Sequence, residues 1–284
     1  MSSVPAFAED EQEIPEVRHV QAGFRTYSYR ERGDGPPVVL LHGIGANSGS
    51  WVNQLDALAG DLRMIAWDAP GYGTTTHLAA DSPSAADYAE ALGAFVDVLG
   101  LDRFLLVGHS LGALVAGAYA ARHPTRLTAL LLLSPAGGYG NAHPVLRMER
   151  LNLRLRMMDE LGPNGLAEKR SANVLGPSAP PEARALVKRA MRELDPAGHA
   201  QAARMLANGK LTDDLERFDG LGLVACGTED TVTVADDCRR IATHLRSRLF
   251  RPLAGLGHAC YAESPQTISN EILWLAREAG MLAA

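Results

Sequence analysis

The chain is 284 residues long with 46% hydrophobic and 21% charged residues, a balance that supports a large buried core and excludes wholesale disorder. Its formal net charge of -6 offers no basic surface for a phosphate backbone, so a nucleic-acid partner is not expected. Cys226, Cys238 and Cys260 match neither a disulfide framework nor a zinc spacing and fit a reducing, cytoplasmic setting, and no apolar run approaches the roughly 20 residues that span a bilayer.

Residues 1–16 carry Glu9, Asp10, Glu11, Glu13 and Glu16 without a basic start or an apolar stretch, and read as a mobile acidic tail, not a secretory leader. Val17 to Ala22 and Arg25 to Glu31, joined at Gly23, predict an opening hairpin. The continuous apolar run Val38 to Leu41 predicts a strand buried on both faces that ends in His42-Gly43-Ile44-Gly45, followed by a helix from Trp51 to Ala59. Met64 to Trp67 is the next buried strand, closed by a Pro70-Gly71 turn. Ser84, with Asp87 three places on, is an N-cap for a helix through Leu99. Phe104 to Val107 and Leu127 to Leu133 read as buried strands either side of a helix from Ala113 to Arg122. Strands alternating with helices imply a mostly parallel central sheet with helices on both faces, an α/β fold.

From 140 to 216 the pattern becomes purely helical, with helices expected over Leu146 to Leu161, Glu182 to Leu194 and Ala197 to Ala207, separated by the breakers Gly162-Pro163-Asn164-Gly165 and Gly176 to Pro181. Sheet pattern resumes with Leu223 to Cys226, a helix from Ala235 to Leu245, a strand from Leu249 to Leu253 and a last helix from Pro265 to Glu278. Residues 17–139 and 217–284 therefore form one core, interrupted by a helical lid over 140–216 placed before the last two strands.

Gly108-His109-Ser110-Leu111-Gly112 joins a predicted strand directly to a helix. Glycines on both sides allow a strained turn that lifts the Ser110 hydroxyl above the sheet. A serine hydroxyl needs a base within hydrogen-bond reach and a third group to hold that base. Gly227-Thr228-Glu229-Asp230 and Gly255-Leu256-Gly257-His258 follow the last two strands and supply both. Glu229 rivals Asp230 as the acid, but it stands one place earlier on the turn, where a side chain faces solvent.

The order Ser, Asp, His, each at the carboxyl end of a strand, resembles the α/β-hydrolase family over nearly the whole chain after the tail. The resemblance implies that Ser110 attacks a carbonyl, His258 moves its proton, Asp230 orients His258, and the backbone N–H groups of Ile44 and Leu111 form the oxyanion hole. It implies no cofactor and no metal. H-E-x-x-H is absent, and Gly43-Ile44-Gly45 lacks the third glycine of a dinucleotide fingerprint. A serine nucleophile excludes the aspartate-dependent dehalogenases and epoxide hydrolases of this fold. A ligand-binding module without turnover is the non-enzymatic alternative.

The segments Gly165-Leu166-Ala167-Glu168, Asp195-Pro196-Ala197-Gly198-His199 and Glu263-Ser264-Pro265 are similar to the 3-oxoadipate enol-lactonases. The stretch from His42 to Asn53, with Trp51, and the Ser134-Pro135 and Gly137-Gly138 pairs resemble hydrolases that cleave carbon–carbon bonds of ring-opened catechols. His109 and Ala259 depart from that second group, which usually carries asparagine and tryptophan there. Ester or lactone hydrolysis therefore ranks ahead of carbon–carbon cleavage. His42, His109, Trp51 and Asn53 are expected near the substrate, His42 bracing its loop and His109 packing or hydrogen-bonding. Arg147, Arg150 and Arg154 lie at helical spacing with Met148, Leu151, Leu155 and Met158. Their ordinary role is a solvated face over an apolar stripe, and the sharper alternative is one guanidinium forked onto a substrate carboxylate. The expected partner is a small molecule, the assembly a monomer or homodimer.

Overall fold

The computed structural model describes residues 14–283, so most of the expected acidic tail lies outside the described residues. Pro15 is buried, which places the tail boundary earlier than residue 16. The hairpin β1 (Arg18–Ala22) and β2 (Arg25–Arg32) leads into β3 (Pro37–Leu41), α1 (Val52–Leu58), β4 (Arg63–Trp67), α2 (Ala85–Val98), β5 (Phe104–His109), α3 (Leu111–Arg122) and β6 (Leu127–Leu133). Then come four helices, α4 (Pro144–Arg170), α5 (Pro181–Arg192), α6 (Pro196–Asn208) and α7 (Leu211–Leu215). The chain closes with β7 (Gly222–Gly227), α8 (Ala235–Ala242), β8 (Leu249–Leu253), α9 (Cys260–Glu263) and α10 (Pro265–Glu278).

The sheet order is β1-β2-β4-β3-β5-β6-β7-β8. All pairs from β4 to β8 are parallel, and β2 alone runs against them. Alternation along each strand sends successive side chains to opposite faces. Phe104, Leu106, Leu130 and Leu132 pack with Leu92 and Phe95 of α2 and Leu114 and Tyr119 of α3. Leu105, Val107, Leu131 and Leu133 face the other layer, with Leu55 of α1 and Ile268, Ile272 and Leu275 of α10. A sheet buried this way on both faces needs the continuous apolar runs seen in the sequence.

Strand order reverses at β3, whose neighbours are β4 on one side and β5 on the other. The loops leaving the carboxyl ends of β3 and β5 diverge there and open a crevice, the usual ligand position in such sheets.

The four-helix segment departs from expectation in three places. Gly162, at φ 59° and ψ 179°, is the single non-helical residue within α4, and helix resumes at once with Pro163 in its first turn. The predicted breaker is therefore a sharp kink. Met148, expected in the apolar stripe, is exposed, as are its neighbours Val145 and Leu146. The short helix α7 carries no clear periodicity and was not expected. No described helix is long and apolar enough to cross a membrane.

The start of α2 illustrates local control: the Ser84 side chain accepts from the Asp87 N–H while the Asp87 carboxylate accepts from the Ser84 N–H, a reciprocal capping box. Replacing Ser84 with alanine should cost about 1 kcal/mol, read as a lower urea midpoint at unchanged m-value. An unshifted midpoint would show that the cap contributes nothing.

Candidate active site

Ser110 sits between the end of β5 and the first residue of α3, at φ 51° and ψ -113°. A non-glycine residue at positive φ is strained by about 1–3 kcal/mol and persists only where its surroundings over-determine it. The Ser110 N–H donates to the Leu133 carbonyl at 3.0 Å, and the Ser110 carbonyl accepts from Ala113 and Ala136, each at 3.1 Å. The flanking glycines are required by close approach. A Cβ on Gly112 would stand 2.5 Å from the Leu41 carbonyl oxygen, and one on Gly108 would stand 2.7 Å from the Gly112 carbonyl oxygen.

Asp230 and His258 follow β7 and β8, and the register between those strands brings the two loops side by side. His258 Nδ1 is 2.9 Å from Asp230 Oδ2. The other carboxylate oxygen accepts from the Val232 and Thr233 N–H groups at 2.8 and 2.9 Å. Burial pushes the Asp230 carboxyl up, but the hydrogen bond and charge of His258 and the two backbone donors outweigh it and hold it at about 2. An ionised carboxylate only accepts, so His258 Nδ1 carries a proton and, in the neutral ring, Nε2 is left as an acceptor. Glu229 is exposed.

Ser110 and His258 line one cavity of about 670 Å³, roofed by α4, α5 and α6. Ile44, in the loop after β3, lines it too. Among the described residues no backbone bond takes up the N–H of Ile44 or of Leu111, while the Ile44 carbonyl is held by the Tyr72 hydroxyl at 3.0 Å. Leu111 opens α3, so its free N–H lies at the positive end of that helix.

His109 lines the cavity and donates from Nε2 to the His258 carbonyl at 2.9 Å. Burial, with the His258 ring beside it, pushes its pKa down to about 3, so the ring is neutral and its buried Nδ1 is an unpartnered acceptor. Arg150 and Arg154 also line the cavity. Four expected neighbours of the substrate do not. His42 is buried, with Nδ1 2.8 Å from the Gly43 carbonyl and Nε2 accepting from the Ala69 N–H at 3.1 Å, so it braces the loops after β3 and β4. Trp51 is wholly buried, its ring 5.1 Å from that of Tyr261, and packs in the α1 layer. Asn53 lies on α1 away from the cavity, and Arg147 falls one turn short of it near the start of α4.

Thr233 was missed by sequence reasoning. Its hydroxyl lies 2.9 Å from Asp230 Oδ2 and 3.1 Å from His258 Nδ1. The available signal was a threonine three places after an aspartate, a spacing at which the carboxylate gathers backbone N–H groups. Glu263 was missed as well: its buried carboxylate accepts from Gly257 N–H at 3.0 Å and from Gly176 N–H at 3.0 Å, tying the loop of His258 to the helical roof. Among the described residues no group of three or more His, Cys, Asp or Glu side chains could hold a metal ion.

A family model described as alpha/beta hydrolase fold matches residues 36–263. A monoacylglycerol lipase of Xenopus laevis, abhd6-B, is 35% identical over 127 residues, 43% of this chain and 38% of its own length. The chain thus spans under two fifths of the length of that relative. A 2-hydroxy-6-oxo-6-phenylhexa-2,4-dienoate hydrolase of Comamonas testosteroni is 32% identical over 46% of this chain and 48% of its own. Among solved structures, a thermophilic esterase from Thermogutta terrifontis superposes with a TM-score of 0.83 at 23% identity, over 93% of this chain and 99% of that one.

Holding Asp230 at about 2, against about 3.9 for a free aspartate, contributes on the order of 2 kcal/mol to the fold. The carboxyl is depressed, so this contribution is complete above pH ~4 and is lost as pH falls through ~2. Asp230→Asn lacks it. Urea titrations at several pH values should show wild-type stability falling relative to the variant across that window, and parallel curves would contradict the assignment.

Proposed function

The chain belongs to the alpha/beta hydrolase fold family, and from that premise we propose that it is a serine hydrolase cleaving a small carboxylic ester or lactone through an acyl-enzyme. The observation that carries this reading is the Asp230–His258 hydrogen bond at 2.9 Å beside a cavity that also holds Ser110 on its strained turn.

In this mechanism the Ser110 Oγ attacks the substrate carbonyl carbon and its proton passes to His258 Nε2. Asp230 holds the ring in the tautomer that leaves Nε2 free and compensates the imidazolium charge. The carbonyl oxygen becomes an alkoxide that accepts from the Ile44 and Leu111 N–H groups, where each such donor is worth on the order of 3 kcal/mol. As the tetrahedral species collapses, the carbon–oxygen bond to the leaving group breaks and His258 returns the proton to that oxygen. Water repeats the sequence on the acyl-enzyme, releasing the acid and restoring Ser110. Helices α4 to α7 act as a lid that shapes the pocket, and no cofactor takes part. Three buried free cysteines suit a reducing compartment.

A second reading, carbon–carbon cleavage of a ring-opened aromatic product, is favoured by the identity to the Comamonas testosteroni dienoate hydrolase. It ranks behind because His109 presents only an acceptor where that reading calls for a side chain that also donates: its Nε2–H is engaged by the His258 carbonyl.

Ser110→Ala should lower kcat/KM for p-nitrophenyl acetate by roughly a thousandfold or more without unfolding the chain. Near-normal turnover in that variant overturns the covalent mechanism. Asp230→Asn should lower kcat far more than Glu229→Gln, and the reverse ranking identifies Glu229 as the acid.

A further inference from the structure

The chain is acidic overall, with a formal charge of -6, yet its cavity is not. Arg150, Arg154, Arg170 and Lys210 all line it, and none has an ion pair with a carboxylate among the described residues. On the neighbouring helix α5 the cations are paired: Lys188 and Arg192 with Glu168, and Arg189 with Glu193. Among the described residues the one carboxylate in the lining, Asp237, is taken by Arg240. A cleft of one sign inside low-dielectric walls focuses its field and draws in ligands of the opposite sign.

Arg154 is the most constrained of the four. Its guanidinium carbon lies 5.4 Å from the Tyr139 ring centroid, and its Nη1 donates to the Arg150 carbonyl at 3.0 Å, which fixes the orientation of the fork. Nη2 reaches the Tyr139 hydroxyl at 3.4 Å, a long contact that leaves most of its donor capacity unused. Facing it from α6, His199 lines the same cavity, is only 7% exposed and, among the described residues, has no partner for its buried Nδ1. Burial, together with the Arg154 charge, lowers the His199 pKa to about 4, so at neutral pH it offers one donor and one acceptor rather than a second cation. Leaving such a group unpaired in an otherwise apolar wall of Leu153, Met157, Leu194 and Leu206 is unfavourable unless a ligand supplies the partner.

We infer that Arg154, His199 and Tyr139 form a subsite for a carboxylate carried by the substrate, separate from the carbonyl that Ser110 attacks. The guanidinium forks onto the two oxygens, and the imidazole and phenol donate at the flank. The substrate class is then a half-ester or lactone acid, a small ester or lactone with a free carboxylate at its other end. This inference rests on the hydrolase reading above and narrows it.

The test compares methyl hydrogen adipate with dimethyl adipate, which differ by one methyl group and one charge, in wild type, Arg154→Gln, Arg154→Lys and His199→Leu. Wild type should favour the half-ester in kcat/KM by at least tenfold. Arg154→Gln should bring the ratio close to one through KM, Arg154→Lys should keep part of it because the charge survives without the fork, and His199→Leu should reduce it severalfold. Equal or better use of the diester by wild type, or an unchanged ratio in both Arg154→Gln and His199→Leu, overturns the subsite. Calorimetric titration with adipate reads the same subsite without turnover, and equal affinity in wild type and Arg154→Gln overturns it as well. Turnover of p-nitrophenyl acetate by Ser110→Ala at the wild-type rate would instead sink the hydrolase reading, leaving adipate titration to decide the subsite by itself.

Discussion

Ser110 is held at a positive φ by three backbone hydrogen bonds, to Leu133, Ala113 and Ala136, and the rest of the site is arranged around that turn. The bonds come from β6, from α3 and from the loop after β6, so the strain is carried by the packed sheet and not by the turn itself. This is why the elbow requires a rigid parallel sheet beneath it, and why the apolar runs of β5 and β6 are continuous. The same turn leaves the Leu111 N–H at the start of α3 without a backbone partner among the described residues, so the strained residue and the exposed donor arise together.

Around this fixed point the groups that hold the imidazole and its loop come from three separate parts of the chain. Asp230 and Thr233 follow β7, the His109 ring reaches the His258 carbonyl from the end of β5, and Glu263 gathers Gly257 together with Gly176 of the helical segment. The Ala259 N–H also donates to the Val174 carbonyl at 2.7 Å. The helical roof and the histidine loop are therefore fastened to each other.

Much of this was legible in the sequence, and the exceptions share a cause. β6 and α10 begin and end where expected, because an uninterrupted run of leucine and a proline at the first helical position are strong local signals. Ser110, Asp230 and His258 were singled out because each sits in a turn of glycines at a strand end. What local pattern could not supply was the direction in which a side chain faces. Trp51 and Asn53 stand close in sequence to the loop of Ile44, yet α1 packs on the far layer of the sheet, so Trp51 enters the core and Asn53 lies away from the cavity. Arg147 shares a helix face with Arg150 and Arg154 but lies too near the end of α4. Proline after glycine predicts a full break at 162–163, whereas in the fold Pro163 starts the next helical stretch after a kink at Gly162. Glu263 bonds Gly176, far along the chain, and His199 faces a cavity assembled from distant segments, neither of which any window of residues contains.

The proposed mechanism turns on a covalent bond between Ser110 and substrate. The direct measurement is intact-protein and peptide mass spectrometry after incubation with a fluorophosphonate, an electrophile that resembles the tetrahedral intermediate. The account predicts a single adduct on the peptide containing Ser110, absent in Ser110→Ala and formed more slowly in Asp230→Asn. An unmodified protein, or an adduct on a different residue, would contradict it.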